Sequence, residues 1–354
     1  MYKLDEIWSI QLEPSSFCNA RCVSCVRNVG GYNHNTGFEE RNLSLSDIKT
    51  ILPVSFIKQL NNVLYNGNLG DMLMNPEIVE ITAYFLDLNP QLKIQAMTNG
   101  GAGSSAMWRG LGNLGIQCNF AIDGLEDTHH LYRQNTVWST VIKNAKIFIE
   151  SGGYAVWKMI EFEHNHHQIE ECRNLSKELG FREFWLLESS INRGPRIAFD
   201  ANGNFSHYIE SAAEIFNAKM SASQYLDGIK QTFPTVYMKT IQDQTERTIT
   251  CSAKKMKDLY INSVGEVYPC CFIGHQPKTL DAEHYFSNMQ VKEMLKNNLN
   301  NALIHPLEQC IEWFSLIEQT WNRSSVKDGG LIACHSNCGK TNYWWDDQKR
   351  VNEL

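Results

Sequence analysis

The sequence lacks the features of a membrane, secreted or nucleic-acid-binding protein. It contains no run of about 18 apolar residues, and its first residues have neither the basic nor the apolar region of a signal peptide. Its net charge is -7, and Lys and Arg form no cluster of the kind that phosphate binding needs. These absences predict a cytoplasmic protein that has no membrane partner and for which nucleic acid is not the main partner.

A disulfide framework is also not expected. Eleven Cys in an intracellular chain of 354 residues indicate metal binding rather than disulfide pairing. Hydrophobic residues at 43% and charged residues at 20% are ordinary for a globular protein, and the length allows roughly two domains with a substantial core. The arrangement of the cysteines is therefore the most informative feature of the sequence.

Three cysteines, Cys18, Cys22 and Cys25, lie in one short stretch directly after an alternating, strand-like run at residues 7–13. Thiolates this close together must pair or share a metal, and an odd number excludes complete pairing. Structural zinc sites want four ligands, and no fourth Cys or His follows at the usual spacing. Three ligands suit a 4Fe-4S cluster with one iron open to bind another group, and a zinc loop completed by a distant ligand is the alternative.

This C-x3-C-x2-C motif after the first strand of a β/α chain resembles that of the radical S-adenosylmethionine (radical SAM) enzymes. The resemblance implies that the open iron binds the amino and carboxylate groups of SAM. It also implies that an electron from the cluster cleaves SAM to a 5′-deoxyadenosyl radical, which takes a hydrogen atom from the substrate. An external low-potential donor such as flavodoxin or ferredoxin would supply the electron. Ser24 stands where the family commonly has an aromatic residue, so no adenine contact is assigned to it.

Strand-like and helix-like segments alternate after the cysteine loop. The further predicted strands lie at residues 63–66, 92–98, 116–122, 154–163 and 181–187. Six β/α units in succession predict an α/β fold with a parallel sheet and right-handed crossovers. The resemblance implies that this sheet forms an open, partial (β/α)6 TIM-like barrel.

We expect three regions along the chain. Residues 1–190 would form the barrel, and residues 191–250 a helical bridge in which Ser206 to Met220 is a helix. The resemblance implies that residues 251–354 form a small α+β domain of the twitch type, which carries an auxiliary cluster. Cys118 and Cys172 fall inside predicted elements of the barrel and are expected to be core residues.

Polar groups follow several of the predicted strands, at the edge where parallel barrels carry their functional residues. Leu69-Gly70-Asp71 resembles the Gly-Gly-Glu of the family, which implies that Gly70 and Asp71 lie near the SAM amino group. Asn99, in a Thr-Asn-Gly sequence, resembles the family residue on the ribose side. Taken alone, an Asn-Gly pair more often indicates only a turn.

Asp123 and Arg133 resemble a further pair of the family, Ser-Leu-Asp-Gly followed by His-x-x-Tyr-Arg. The resemblance makes Asp123 a cofactor-binding candidate and Arg133 a candidate partner of the SAM carboxylate. Ala121 replaces the Ser that often contacts the ribose, so that hydrogen bond is not expected.

A second group of cysteines lies in the C-terminal third. Cys251 and Cys270 belong to a C-x13-G-x4-C pattern in which two short strands around Gly265 predict a hairpin. The pattern resembles the opening of the SPASM/twitch domains. Cys334 and Cys338 form a compact pair farther along the chain.

The number of available thiols suits one auxiliary cluster. The C-x2-C-x5-C-x3-C run of full SPASM domains is absent, so the resemblance implies a twitch-type domain with one 4Fe-4S cluster on Cys251, Cys270, Cys334 and Cys338. Cys310 competes for one of the last two places. A structural zinc site is the alternative, since four Cys at loose spacing satisfy it as well.

The sequence therefore predicts a radical SAM oxidoreductase or modifying enzyme. Its substrate would be a peptide or protein side chain or a small molecule, and the auxiliary cluster would accept an electron, bind the substrate or relay electrons. One alternative is a dehydrogenase of small molecules. Another is a non-catalytic, zinc-stabilised binding protein, and a third is a barrel that has lost catalysis. The catalytic base is not identified.

Overall fold

The computed structural model describes residues 3–33, 38–188, 196–209, 221–224, 248–275, 290–295 and 299–338. Six parallel strands in sequential spatial order form most of its main sheet. They are β1 Ser9–Leu12, β2 Asn62–Tyr65, β3 Lys93–Thr98, β4 Gln117–Ala121, β5 Tyr154–Glu161 and β6 Glu183–Glu188. All six lie where the alternating pattern predicts strands. The α/β class with an open, barrel-like parallel sheet is confirmed.

Helices connect these strands and cover one face of the sheet. They are α1 Leu45–Ile51, α2 Val54–Gln59, α3 Ile78–Leu88, α4 Ser105–Asn113, α5 Glu126–Tyr132, α6 Trp138–Glu150 and α7 Ile169–Glu178. Ser44 and Asp47 form a capping box at the start of α1. Pro53 stands between α1 and α2, because a proline is tolerated at a helix start but not inside a helix.

The core lies between the sheet and these helices. Alternate strand residues, such as Ile10, Leu12 and Phe120, are fully buried on this face. Trp108 of α4 stacks on Phe120 at 5.2 Å between ring centroids. Cys118 and Cys172 belong to the same cluster, so their assignment as core residues is confirmed. The strand residues between these buried ones point to the opposite, concave face of the sheet, where the candidate site lies.

The structure of residues 196–209 contradicts a helix that was predicted from the sequence. β7 Arg196–Phe199 and β8 Phe205–Ile209 form an antiparallel hairpin. The helix predicted from Ser206 is therefore wrong for residues 206–209, since cross-strand pairing and the burial of Ile209 outweigh the helical spacing of the sequence. Residues 210–220 of that prediction lie outside the described residues. The described hairpin also departs from the helical bridge predicted for residues 191–250.

The C-terminal hairpin joins the main sheet. β9 Asp258–Ile261 pairs in parallel with β1, and β10 Val267–Tyr268 pairs antiparallel with β9. Gly265 in the connecting turn has a φ of 82°, a conformation that favours glycine. The predicted hairpin is thus confirmed, and it belongs to the same eight-stranded sheet as the barrel strands.

Short helices follow in the C-terminal region. They are α8 Ser252–Met256, α9 Cys271–His275, α10 Leu307–Cys310, α11 Phe314–Thr320 and α12 Ile332–Asn337. Two-residue pairings elsewhere join Arg21–Cys22 to Arg133–Gln134, and Asn28–Val29 to Tyr32–Asn33. Among the described residues, every helix is too short or too polar to cross a membrane.

Candidate active site

The first cysteine loop lies at the carboxyl ends of the parallel strands. Cys22 pairs with Arg133 across a two-residue ladder, and the Cys25 amide donates to the Cys22 carbonyl at 3.0 Å. Cys18, Cys22 and Cys25 line one cavity of about 390 Å³. This volume lies within the usual range for small-molecule sites. The fold therefore directs all three thiols of the motif into a space that a cofactor would fill.

The environment of the thiols disfavours free thiolates. Burial raises the pKa of Cys18, and the negative charge of Asp71 raises it further. Burial also raises the pKa of Cys25 to about 11, with a further contribution from Cys22, while Arg27 and Arg133 oppose the shift. Metal ions bind the deprotonated form, so bound iron would add positive charge to that of Arg27 and Arg133. The donor set therefore fits the predicted cluster.

Gly70 lies at the cavity wall and tolerates no side chain. Its amide donates to the Glu13 carboxylate at 2.9 Å. A Cβ atom at this position would overlap the carbonyl group of Ser15. The close approach of two loops therefore requires glycine here.

Asp71 lines the same cavity, and its carboxylate is already hydrogen-bonded. It accepts from the Asn99 amide at 2.8 Å, from Asn99 Nδ2 at 2.7 Å and from the Thr98 hydroxyl at 3.0 Å. Burial raises its pKa, and the Asn99 amide opposes this shift. The described contacts make Asp71 a residue that orients Asn99. Asn99 Nδ2 also lies 3.8 Å from Cys18 Sγ.

Arg133 extends from the strand that pairs with Cys22. Its Nε donates to Asp123 Oδ2 at 2.6 Å, and its Nη1 lies 3.4 Å from Cys22 Sγ. Arg133 lines the cavity, whereas Asp123 is fully buried behind it and is not among the lining residues. Asp123 also accepts from the Ile160 amide at 2.7 Å. The structure thus brings Gly70, Asp71, Asn99 and Arg133 to the cavity and sets Asp123 one layer back.

Several lining residues were not singled out from the sequence. They are Arg27, Asn66, Asn68, Met97, Asn119 and Lys158. Met97, Asn119 and Lys158 lie on barrel strands; Met97 and Lys158 alternate with buried neighbours, and Asn119, itself buried, pairs with Met97 across the sheet. The period-2 pattern could have assigned them to the concave face, had the strand registers been known.

The second cysteine group also converges. Cys251, Cys270, Cys334 and Cys338 line one small cavity together with Trp321. Cys251 caps the N-terminus of α8, where the Lys254 amide lies 3.5 Å from its sulfur. Burial raises the pKa of Cys338 to about 11, and the proximity of Cys251 adds to the shift. As at the first site, several thiols share one buried space.

Two other C-terminal cysteines do not line this small cavity. Cys310 is fully buried, and its thiol donates to the His305 carbonyl at 3.6 Å. It does not line the small cavity. Cys271 lines a larger cavity of about 490 Å³ on the barrel side, which Cys251, Cys270 and Cys338 also line. The structure therefore groups the four thiols of the predicted ligand set without Cys310.

The thiols of neither group meet at a single point. Among the described residues, no three Cys, His, Asp or Glu side chains are arranged to share one metal ion. The ligands of a cubic iron–sulfur cluster each bind a different iron, so they need not converge on one atom.

The chain is similar to known proteins in fold and not detectably in sequence. Neither a family model nor a curated protein sequence matches the chain. The solved structure of tagged anSMEcpe with bound AdoMet is 14% identical with a TM-score of 0.52, over 94% of this chain and 88% of that chain. Native anSMEcpe with bound AdoMet and Cp18Cys peptide matches over the same shares at 14% identity and a TM-score of 0.51.

Streptococcus suis SuiB bound to S-adenosylmethionine is 17% identical with a TM-score of 0.49. The match covers 75% of this chain and 61% of SuiB, so the chain spans about three fifths of the length of SuiB. At these identities, the anSMEcpe matches establish a shared fold.

Proposed function

We propose that this chain, which has the fold of the radical SAM enzymes, is itself a radical SAM enzyme. Cys18, Cys22 and Cys25 would hold a 4Fe-4S cluster, and SAM would occupy the adjoining cavity. When bound, the cluster supplies an electron to SAM and so generates the radical that takes hydrogen from the substrate. The observation that carries this proposal is that the three thiols line the same cavity as Gly70, Asp71, Asn99 and Arg133.

Each polar residue of the cavity has a definite part in this proposal. The Arg133 guanidinium, held by Asp123, presents positive charge beside Cys22 and would bind the SAM carboxylate. Asp71 would fix the orientation of Asn99, whose amide faces Cys18. Gly70, which lines the cavity and whose amide is held by Glu13, would lie beside the SAM amino group.

The substrate would be a peptide or protein side chain. Asn66, Asn68, Asn119 and Lys158 give the cavity polar walls that suit hydrogen-bonding groups of a peptide. The structure of anSMEcpe with bound Cp18Cys peptide supports this choice. The comparisons lend no support to the small-molecule and zinc-binding alternatives.

Cys251, Cys270, Cys334 and Cys338 would hold one auxiliary 4Fe-4S cluster. Their grouping around one buried cavity supports this assignment over a set that includes Cys310. Since the thiols lie next to the barrel, the cluster would accept or relay an electron from the substrate radical. An external flavodoxin or ferredoxin would reduce the first cluster.

Anaerobic reconstitution tests the proposal. The wild type should contain about eight irons, and a triple Ala variant of Cys18, Cys22 and Cys25 about four. Dithionite and SAM should yield 5′-deoxyadenosine with the wild type only. Cys310→Ala is the matched control for the auxiliary site and should keep all its iron, whereas Cys334→Ala should lose iron. Bound zinc, or no 5′-deoxyadenosine from a wild type that holds iron, would contradict the proposal.

A further inference from the structure

Glu13 connects the candidate SAM site to the C-terminal region. It directly follows β1 and is fully buried. Its Oε1 accepts the Gly70 amide at 2.9 Å and also accepts the Leu69 amide. Its Oε2 accepts the hydroxyl of Tyr260 at 2.6 Å. Tyr260 lies in β9, so one carboxylate joins three segments that are distant in the sequence.

Further contacts hold the segment Gly67–Asp71, here called the amine loop. Arg27, which follows the first cysteine group, donates to the Leu69 carbonyl. Asn68 Nδ2 donates at 3.3 Å to the carbonyl of Cys271, the neighbour of Cys270. The amine loop is therefore attached to the first cysteine loop on one side and to the second cysteine group on the other.

The Tyr260 hydroxyl is needed because the carboxylate is remote from water. Burial raises the pKa of Glu13 to about 7, and the Tyr260 hydroxyl is the largest influence that opposes the rise. Without this donor, Oε2 would be buried without a partner, and the carboxyl group would be a weaker acceptor for the two amides. Those two amides set the conformation of the loop that carries Gly70 and Asp71.

We propose that Glu13 and Tyr260 are positioning residues for the amine loop, so that a strand of the C-terminal region sets the affinity of the site for the amino-acid end of SAM. Neither residue lines the candidate SAM cavity, and each acts through the backbone of Leu69 and Gly70. The inference rests on the proposed function, because it assumes that this loop receives the SAM amino group.

Tyr260→Phe and Tyr268→Phe form a matched pair that tests the inference. Tyr260 and Tyr268 are partners across the β9–β10 ladder, and both are fully buried. Each hydroxyl donates to a carboxylate, but Tyr268 binds Glu266 at 3.0 Å, away from the amine loop. A merely structural role would make the two variants alike in every measurement.

The first measurement is binding of S-adenosylhomocysteine to the reconstituted enzyme by equilibrium dialysis. This probe has the amino and carboxylate groups of SAM and is not cleaved. Tyr260→Phe should raise the dissociation constant roughly tenfold, the equivalent of one hydrogen bond. Tyr268→Phe should stay near the wild type. Equal affinities in the two variants would overturn the inference, whereas a wild type that binds no probe would contradict the proposed function itself.

Amide hydrogen exchange supplies a second measurement that needs no cluster. In the metal-free protein, peptides that contain Leu69 and Gly70 should exchange faster in Tyr260→Phe than in Tyr268→Phe. Glu13→Gln should keep exchange and affinity near those of the wild type. The amide oxygen of the glutamine can accept from both backbone amides, and its NH₂ group can donate to Tyr260. Glu13→Ala should show faster exchange and weaker binding. Unchanged exchange in Glu13→Ala and Tyr260→Phe would exclude the positioning role.

Discussion

Single residues of the site depend on partners that are far away in the sequence. The Asp123 carboxylate, fully buried, binds the Arg133 guanidinium, and the Asp71 carboxylate binds both amide groups of Asn99. A buried charge without such partners would be costly, so these contacts explain why the side chains keep their orientation. Two predictions concern buried polar groups in the C-terminal region, the Asp258 carboxyl group and the Trp321 indole N–H.

Asp258, at the start of β9, should make the free energy of unfolding depend on pH. Burial raises its pKa to about 6 from the ordinary 3.8, although Gln11 Nε2 donates to it at 2.5 Å. Because the folded state binds this proton more tightly than the unfolded chain, the resulting stabilisation is complete below about pH 3.8 and is lost as the pH rises through about 6. Asp258→Asn removes this dependence.

We therefore expect the variant to gain free energy of unfolding relative to the wild type as the pH rises from 4 to 7, by about 3 kcal/mol at most. Urea unfolding of the metal-free proteins at several fixed pH values measures the difference. A difference that is constant over this range would rule out titration of Asp258 as its cause.

Replacement of Trp321 is expected to shift the reduction potential of the proposed auxiliary cluster. Its indole N–H is buried without a hydrogen bond of normal geometry, as is that of Trp313, but only Trp321 lines the cavity of the second cysteine group. Burial raises the pKa of Cys334, and the Trp321 N–H lies close enough to oppose this rise. Hydrogen bonds to cluster sulfurs raise reduction potentials.

Trp321→Phe should make the auxiliary potential more negative by roughly 40 mV, the equivalent of a hydrogen bond of about 1 kcal/mol in a one-electron couple. Trp313→Phe is the control and should leave it unchanged. Redox titration followed by electron paramagnetic resonance measures both. A similar shift in the two variants would point to general repacking instead.

At the scale of elements, the site depends on how loops approach one another after the strands. The Gly67–Asp71 loop after β2 packs directly against the backbone at Ser15. The short ladder between Arg21–Cys22 and Arg133–Gln134 holds the cysteine loop to the chain after α5. The close approach at Gly70 supplies the prediction at this scale.

Gly70→Ala should lower the free energy of unfolding by about 3 kcal/mol, because the added methyl group forces the two loops apart. Gly115→Ala is a suitable comparison. Gly115 has a φ of 66° but no atom within 4 Å of the added Cβ, so only the backbone strain of about 1 kcal/mol should appear. Urea denaturation measures both. Equal losses would show that the loops can separate without cost.

For the whole molecule, the sheet unites the barrel with the C-terminal region. β1 lies between β2 and β9, so removal of β9 would leave β1 as an unpaired edge strand. It would also expose the core residues against which Tyr260 packs. A chain that ends at residue 250 should therefore aggregate or lose cooperative unfolding. Size-exclusion chromatography and urea unfolding beside the full chain test this expectation. A monomeric, cooperatively folded product would show that the barrel is independent.

The sequence by itself determined the features that rest on local spacing. Cys18, Cys22 and Cys25 lie on one loop, so their motif alone indicated the metal chemistry and the family resemblance, and the structure has the fold that this resemblance implies. Period-2 and helical patterns predicted the six strands and their alternation with helices in the barrel, because alternation of buried and exposed residues is a local property. The helix predicted from Ser206 was wrong for residues 206–209, since strand pairing outweighed local preference there.

Tertiary structure alone decided which distant residues meet. Three such features have no signature in local spacing: the position of Asp123 behind Arg133, the exclusion of Cys310 from the four C-terminal thiols, and the bridge from Tyr260 through Glu13 to Gly70. The pairing of β9 with β1 places Tyr260 beside Glu13, and β9 occupies the edge of β1 that the other barrel strands leave open. Local patterns specify elements, whereas buried contacts between them follow from the packing of the whole chain.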